Sequence, residues 1–216
     1  MLWLLLWFGV MGGPVRSYSI IKLPPPDTVG KVTVEQALWH RRSVRAFADE
    51  SLSLAQAGQL LWAAQGLNTG SKRRTAPSAG ATYPMELYLV AGKVKDLKPG
   101  VYHYAIDSHS LVLMQTGDHR AELAEAALGQ KSILAAPAVL VLAADFSRTA
   151  QRYAERASRY VYMEAGHVGE NVHLQCEALG LGTVMIGAFD DDRVKKLLQI
   201  EQDPLYIMPV GHKAQE

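Results

Sequence analysis

The sequence has very little cysteine: Cys176 is the only one among 216 residues. A single thiol excludes an intramolecular disulfide and any zinc or iron–sulfur site that needs several cysteines. Cys176 also lies at helical spacing from Val168, Val172 and Leu179, a pattern that predicts a buried thiol rather than a reactive one. The cysteine therefore offers neither a cross-link nor a set of metal ligands.

An excess of charge of either sign is missing as well. The 22 lysines and arginines balance 21 aspartates and glutamates, which leaves a net charge of +1. Proteins that bind nucleic acid usually carry a clear basic surplus, so no nucleic-acid partner is expected. A chain that is 49% hydrophobic and 20% charged is typical of one compact domain, with two small domains as the less favoured alternative.

No apolar run is long enough to cross a membrane. Residues 1–13 carry no charge, but a membrane-spanning helix needs about 20 apolar residues. The run has the length of the apolar part of a signal peptide, yet it lacks a basic start and a good cleavage site. We treat residues 1–22 as an apolar N-terminal segment and residues 23–216 as the folded domain. A cytoplasmic location is slightly favoured, and export, or membrane association through residues 1–13 alone, is the alternative.

Three common site motifs are absent or incomplete. Gly180-Leu181-Gly182 follows a predicted helix and precedes a predicted strand, the reverse of the order in a dinucleotide-binding fingerprint. No glycine-rich phosphate loop with its lysine is present. The segment from Glu164 to His167 has the Glu-x-x-His spacing of di-iron bundles, but those sites need this motif twice and two further carboxylates. No metal site is therefore expected.

One candidate for a ligand site is the cluster Arg41-Arg42-Ser43-Val44-Arg45. Arginine offers paired N–H donors that match phosphate oxygens and stays charged at any working pH, and a serine hydroxyl adds another donor. The alternative is that these basic residues only stabilise the carboxyl end of the preceding helix. The cluster alone does not decide between the two.

The pattern of elements indicates the α+β class. Capping boxes that begin at Thr33 and Ser53 predict two helices, which end near His40 and before Gly66. Further helices are predicted over residues 118–128, 147–179 and 190–198. Strands are predicted over residues 86–91, 100–104, 111–115, 138–143, 183–188 and 205–210. Their irregular alternation favours a mostly antiparallel sheet flanked by helices over a doubly wound fold.

The long predicted helix carries a polar and aromatic stripe. Its members recur every three or four residues: Tyr153, Arg156, Tyr160, Glu164, His167 and Asn171. An apolar stripe lies about 90° away, so the polar one borders the core and is placed to line a cleft. Within it, Tyr153, Tyr160, Glu164 and His167 are the candidate catalytic residues, with Glu164 and His167 as a paired acid and base. The alternative is an internal polar network on a helix that packs against a second subunit.

The loop from Ala76 to Tyr88, together with residues 41–47, closely resembles the nitroreductase family of FMN-dependent oxidoreductases. More narrowly, it is similar to the SagB-type dehydrogenase branch, which includes thiazoline and oxazoline oxidases of peptide natural-product pathways. Further similar segments follow in the same order, at residues 99–104, 160–171, 180–191 and 208–211. The resemblance covers about residues 23–211 and implies a nitroreductase-like fold with a long core or dimer-interface helix.

The resemblance also implies roles for individual residues. Those expected to bind the FMN phosphate and ribityl chain are Arg41, Arg42, Ser43 and Arg45. Those expected to reach the flavin of the partner subunit in a homodimer are Pro77, Ser78, Ala79 and Gly80. Those expected to pack along the isoalloxazine are Met185, Ile186, Gly187 and Ala188. Gly211 joins the cofactor-binding set, and His212 or Lys213 could add a phosphate contact.

The implied activity is hydride transfer from NADH or NADPH to FMN and then to a small acceptor, in a ping-pong cycle. Dehydrogenation of an azoline or related ring in a modified peptide is the alternative. In azoline oxidases a Lys-Tyr pair falls where this chain has Arg152-Tyr153, and arginine is effectively never neutral. Because of this departure, the reductase activity is favoured over azoline dehydrogenation. A third hypothesis is a module that only docks to a partner.

Overall fold

The computed structural model describes residues 19–68 and 73–215, so most of the predicted N-terminal segment lies outside the described residues. The helices are α1 (Val34–His40), α2 (Leu54–Gln65), α3 (Arg120–Ala126), α4 (Lys131–Ala135), α5 (Phe146–Tyr153), α6 (Ala157–Ala178) and α7 (Asp191–Leu198). The strands are β1 (Ile20–Lys22), β2 (Met85–Ala91), β3 (Gly100–Ala105), β4 (Ser110–Thr116), β5 (Ala138–Ala144), β6 (Leu181–Thr183) and β7 (Asp203–His212). Among these residues, no helix combines the length and apolar character needed to cross a membrane.

In the described part of the chain, seven strands form one sheet in the order β1-β4-β3-β2-β5-β7-β6. Every neighbouring pair is antiparallel, which confirms the predicted α+β fold with its antiparallel sheet. All the residues of β5 are buried, as expected for a continuous apolar strand between two neighbours.

Each face of the sheet is covered by helices. Alternate residues of β2 point to opposite faces, so Leu87 and Leu89 pack with α2 and α6, whereas Tyr88 and Val90 pack with α3, α4 and α7. On α6, the predicted apolar stripe is buried in the first of these cores. Cys176 is buried there too, and burial raises the pKa of its thiol, which confirms the sequence-based prediction.

The predicted single helix over residues 147–179 is interrupted. Helix α5 ends at Tyr153, a turn of 3₁₀ helix spans Ala154–Arg156, and α6 begins at Ala157. Ala154 has φ 47° and ψ −125°, a conformation that a residue with a Cβ rarely adopts. Alanine favours helices, so the sequence gives no signal for this break.

Other elements also differ from the predictions. Strand β6 ends at Thr183 instead of running over 183–188, because the chain then leaves the sheet and only Ile186 makes a bridge, to Ile207. Helix α3 ends at Ala126, and left-handed backbone at Leu128 and Gly129 stops it. The short helix α4 was not predicted. Both capping boxes are confirmed, with Gln36 and Gln56 at their third positions.

Candidate functional site

The arginine segment turns away from α1 and docks on strand β6. Arg41 caps α1 with non-helical backbone, and Val44 then donates its N–H to the carbonyl of Thr183 over 2.8 Å. A Cβ on Gly182 would lie 2.7 Å from the Cβ of Val44. Glycine at 182 therefore lets the segment lie flat against β6, and the side chains that flank Val44 remain exposed.

The end of β7 lies on the other side of the same segment. Ala48 donates its N–H to the carbonyl of His212 over 2.9 Å, and Ala214 donates to the carbonyl of Ala46 over 3.2 Å. Between the two stretches is a cavity of about 350 Å³. Its wall includes Gln215 and four further polar side chains, which we call the basic pocket: Arg42, Ser43, Arg45 and Lys213.

Lys213 is the C-terminal basic residue that lines the basic pocket together with the arginines. Lys213 lines it and also donates to the Glu177 carboxylate over 2.7 Å, whereas His212 lies 3.5 Å from Glu50. Arg41 does not line the basic pocket. Its charge acts on the buried His173 of α6, whose pKa is lowered mainly by burial and to a smaller extent by Arg41. The structure thus brings three of the four predicted phosphate-binding residues together with Lys213.

The predicted loop at residues 77–80 continues into a strained turn. Positive φ angles occur at Gly80 (58°), Ala81 (55°) and Tyr83 (47°). The hydroxyl of Ser78 accepts the N–H of Tyr83 over 2.9 Å. Left-handed backbone is unfavourable for residues with a Cβ, and such strain is common at functional sites.

This loop meets the break between α5 and α6. Arg152 donates from Nη1 to the carbonyl of Gly80 over 3.1 Å, and a Cβ on Gly80 would lie 2.6 Å from the Tyr153 hydroxyl. The rings of Tyr153 and Tyr160 pack edge to face with their centroids 4.8 Å apart. Gly80, Arg152, Tyr153 and Tyr160 form what we call the loop–tyrosine cluster, in which Tyr153 lies against the predicted cofactor loop and Tyr160 packs on Tyr153.

The other two predicted catalytic residues are divided between interior and surface. Glu164 is only 2% exposed, whereas His167 is exposed. Burial raises the pKa of Glu164 to about 7, and Ser78, Arg74 and Gln65 beside it act in the opposite direction. Asn171, from the same predicted stripe, donates to the carbonyl of Ala63 over 3.0 Å and holds α2 against α6.

The segment from Met185 to Ala188 follows β6 and contacts both α6 and β7. Met185 packs over Gly169, where a Cβ would lie 2.0 Å from its sulfur, and Ile186 pairs with Ile207. Gly187 and Ala188 are exposed. Gly211 is buried, and a Cβ there would lie 2.6 Å from Pro137 and 3.1 Å from Phe47. The close packing at this position therefore requires a glycine.

Comparison with known proteins gives the family. The family model described as "Nitroreductase family" matches residues 38–212. The chain belongs to the nitroreductase family. The chain is similar to MJ1384 of Methanocaldococcus jannaschii, a protein named as a nitroreductase. The two are 44% identical over 188 residues, which cover 87% of this chain and 94% of MJ1384. A crystal structure described as a nitroreductase, from Ralstonia eutropha JMP134, superposes with a TM-score of 0.79 at 28% identity and 97% coverage of both chains.

This chain also has relatives of the SagB type. It is 29% identical to the microcin B17-processing protein McbC of Escherichia coli, over 62% of this chain and 51% of McbC, so the match spans about half of that relative. The microcin synthetase McbBCD complex of Escherichia coli, with truncated pro-MccB17 bound, has the same fold, with a TM-score of 0.70 at 23% identity over 96% of this chain and 85% of that one.

Sequence reasoning missed two parts of this nitroreductase-family site. Lys213 and His212 are alternatives in the sequence, because both lie at the end of β7 and only the cavity distinguishes them. Arg74 and Gln65, which surround Glu164, were not singled out, because nothing in their local pattern shows that distant segments place them beside a buried acid.

Proposed function

We propose that the protein is an FMN-dependent oxidoreductase that takes a hydride from NADH or NADPH and passes it to a small electron acceptor in a ping-pong cycle. The basic pocket is the observation that carries this proposal. It combines two guanidinium groups, an ammonium group and a hydroxyl on one cavity wall, a donor set that fits a phosphate group. FMN, when bound, supplies the redox chemistry that protein side chains lack.

The residues of this chain would act by holding and orienting the cofactor. Arg42, Ser43 and Arg45 would bind the phosphate, with Lys213 held in place by Glu177. The exposed backbone at Gly187 and Ala188 would let a main-chain N–H approach the ring system, because small side chains leave the amide accessible. None of these roles requires a nucleophilic side chain.

A homodimer is part of the proposal. Helix α1, directly before the arginines, exposes large apolar side chains: Val34 at 63%, Leu38 at 54% and Trp39 at 86%. Neighbouring exposed apolar residues on a soluble domain commonly mark a contact surface. We infer that a second copy covers this surface and that its loop–tyrosine cluster completes the flavin site, as the family resemblance implies.

The second candidate function is dehydrogenation of an azoline or related ring in a modified peptide. The similarity to McbC and to the trifolitoxin operon protein TfxC of Rhizobium leguminosarum bv. trifolii, which is 24% identical over 87% of this chain and 57% of TfxC, favours it. Arg152, in the loop–tyrosine cluster, argues against it, because a permanently charged guanidinium cannot serve as a base.

Anaerobic stopped-flow mixing separates the two functions. Purified protein loaded with FMN is mixed with NADH or with NADPH while the flavin absorbance is followed. The proposed function requires that at least one nicotinamide bleaches the flavin band and that a quinone or nitroaromatic acceptor restores it. If neither nicotinamide bleaches the flavin while FMN stays bound, the reductase activity is excluded and the dehydrogenase activity remains.

A further inference from the structure

Helix α5 and its N-cap residue are bonded to the strained turn at residues 80–84. The bonded atoms are 2.9–3.1 Å apart, and the pairs follow the two segments in opposite directions: Asp145 with Pro84, Arg148 with Tyr83, Thr149 with Thr82, and Arg152 with Gly80. Left-handed backbone, as at Tyr83, needs such tertiary support in an ordered loop. The last side chain of the row, that of Arg152, is therefore held by a segment outside its own helix.

The side chain of Arg152 is held on two sides. Its Nη1 donates to the carbonyl of Gly80 over 3.1 Å, and its Cδ and Nε lie 2.8 Å from the position that a Cβ on Gly80 would take. Its guanidinium carbon lies 5.7 Å from the ring centroid of Tyr153, within the range of a cation–π contact. Glycine at position 80 thus makes room for a guanidinium that lies across the loop.

The positive charge of Arg152 is not neutralised by a neighbouring acid. Within the described part of the chain, this exposed side chain has no carboxylate partner. Arg148, one turn earlier on α5, shows the contrast, because it is paired with both Glu86 and Asp145. Arginine presents its N–H donors as a planar fork that matches the oxygens of a carboxylate or phosphate. The bond to Gly80 uses one N–H of Nη1, so the other donors of the fork are available to a ligand.

The surface around Arg152 is cationic, although the whole protein has a net charge of only +1. Residues 146–163 contain four arginines and one acid, Glu155. Arg156 and Arg159 are exposed, and among the residues that the structure describes neither has a carboxylate partner. A local excess of positive charge raises the concentration of anions at that surface. The charge around Arg152 therefore favours an anionic ligand.

This cation also borders an aromatic wall. The rings of Tyr153 and Tyr160 pack edge to face and are half-buried, so part of each ring remains accessible. Aromatic side chains offer a flat apolar surface on which a planar ring packs. A planar compound with an anionic substituent would place its ring against the tyrosines and its charge at Arg152.

We propose that Arg152 is a specificity-determining residue, which selects substrates that carry an anionic group. That group is the carboxylate of an aromatic acceptor or the 2′-phosphate of NADPH, because both present the oxygens that the guanidinium fork binds. The proposal rests on the proposed function, in that the loop–tyrosine cluster is taken to border the flavin. Arg152 transfers no proton, and its role lies in the choice of substrate.

The first arm of the test uses two acceptors that differ in their charge, 4-nitrobenzoate and 4-nitrobenzamide. FMN-loaded protein is reduced photochemically, without a nicotinamide, and its reoxidation is followed by stopped flow over a range of acceptor concentrations. We expect wild type to reach its half-maximal rate at an about tenfold lower concentration of 4-nitrobenzoate, as one charge-assisted contact implies. Arg152→Gln should lose this preference, and high salt should weaken it in wild type.

The second arm compares NADPH with NADH as the reductant of the same proteins and so separates the two sources of the anion. A preference for NADPH that Arg152→Gln abolishes assigns the residue to the 2′-phosphate, whereas a lost preference for 4-nitrobenzoate assigns it to the acceptor. Thr149→Val is the matched control, because it removes another bond to the loop without a change of charge. Arg193→Gln, on α7 at the opposite face of the sheet, controls for net charge. Both controls should keep the wild-type preferences.

The proposal is overturned if wild type shows no preference in either arm or if Arg152→Gln keeps every preference of wild type. It is also overturned if Thr149→Val loses the same preference, since a disturbed loop would then explain the effect.

Failure of the proposed function gives a different result. If neither nicotinamide reduces the bound flavin, the reductase activity fails and the acceptor arm still decides on Arg152. If wild type binds no FMN, calorimetric titration with the two nitro compounds decides instead. Tighter binding of 4-nitrobenzoate that Arg152→Gln abolishes supports the anion site, and equal binding of the two compounds by wild type overturns it.

Discussion

Lys213, one residue beyond strand β7, donates a hydrogen bond to Glu177 of α6 over 2.7 Å. The ion pair holds the lysine at the wall of the basic pocket, beside arginines that enter from the other end of the chain. The pocket thus joins an N-terminal and a C-terminal segment through β6, and the proposed function depends on what this pocket binds.

Lys213→Gln is expected to weaken FMN binding by about tenfold, because one charge-assisted contact to the phosphate is lost. The loss should shrink at high salt, which screens a partly exposed charge. Titration of apoprotein with FMN, followed by flavin fluorescence, measures both effects. Lys95→Gln, an exposed lysine in the turn after β2, is the control and should leave the affinity unchanged. Equal affinities for Lys213→Gln and wild type would remove Lys213 from the site.

Gly182→Ala should displace the arginine segment, because the new Cβ would lie 2.7 Å from that of Val44. We expect the free energy of unfolding to fall by about 1–3 kcal/mol, the usual cost of overpacking, together with a loss of FMN affinity. Gly166→Ala is the matched control, since it lies within α6 with no atom within 4 Å of the new Cβ. There we expect a gain of about 0.5–1 kcal/mol. Similar effects of the two changes in denaturant unfolding would refute this packing role.

His109 should make stability fall at mildly acid pH. Its Nε2 bonds to the carbonyl of Pro24 over 2.9 Å and its Nδ1 to the hydroxyl of Tyr104 over 2.7 Å. Burial lowers its pKa below the usual 6.5. The neutral ring therefore stabilises the fold above about pH 6.5, and this contribution is lost as the pH falls towards the folded pKa.

Unfolding by denaturant at a series of pH values from 5 to 8 checks the titration of His109. His109→Gln should be less stable than wild type at pH 8 and should show a shallower decline below pH 6.5. Some slope will remain, because the pKa of His173 is shifted in the same direction. An unchanged slope in His109→Gln would show that His109 does not titrate in this way.

Trp39→Glu is expected to convert the proposed dimer to monomer, because it places a charge in the exposed apolar surface of α1. Sedimentation velocity measures the change, and FMN affinity should fall with it if the partner's loop completes the site. Leu134→Glu, an exposed apolar residue of α4, serves as the control. A wild-type protein that is monomeric and still binds FMN would exclude a site shared between subunits.

Local signals in the sequence predicted much of the fold. The capping boxes at Thr33 and Ser53 and the continuous apolar run of β5 depend on neighbouring residues, and the structure confirms them. The break at Ala154 could not be predicted in this way, because its strained backbone is imposed by tertiary packing on residues that favour helix. The same holds for α4, which lacks a side-chain cap.

The residues of the candidate site likewise separate into those that local sequence signals predicted and those that only tertiary contacts bring together. Ser43 and the arginines at 42 and 45 lie in one short motif, so the sequence could propose a phosphate site, and the structure adds a cavity and Lys213. Helical periodicity placed Glu164 at the border of the core and paired it with His167. Which side chains surround it depends on how Arg74 and Ser78 fold back over α6, and this is decided by contacts between distant segments.

The most direct test of the basic pocket compares FMN with riboflavin, which has the same ring system and no phosphate. Affinities for both are measured by fluorescence titration on wild type and on Arg42→Gln combined with Arg45→Gln. We expect wild type to bind FMN at least about a hundredfold more tightly than riboflavin, as two or more charge-assisted contacts imply, and the double variant to lose most of that preference. Equal affinity of wild type for the two flavins would show that the basic pocket does not bind the FMN phosphate.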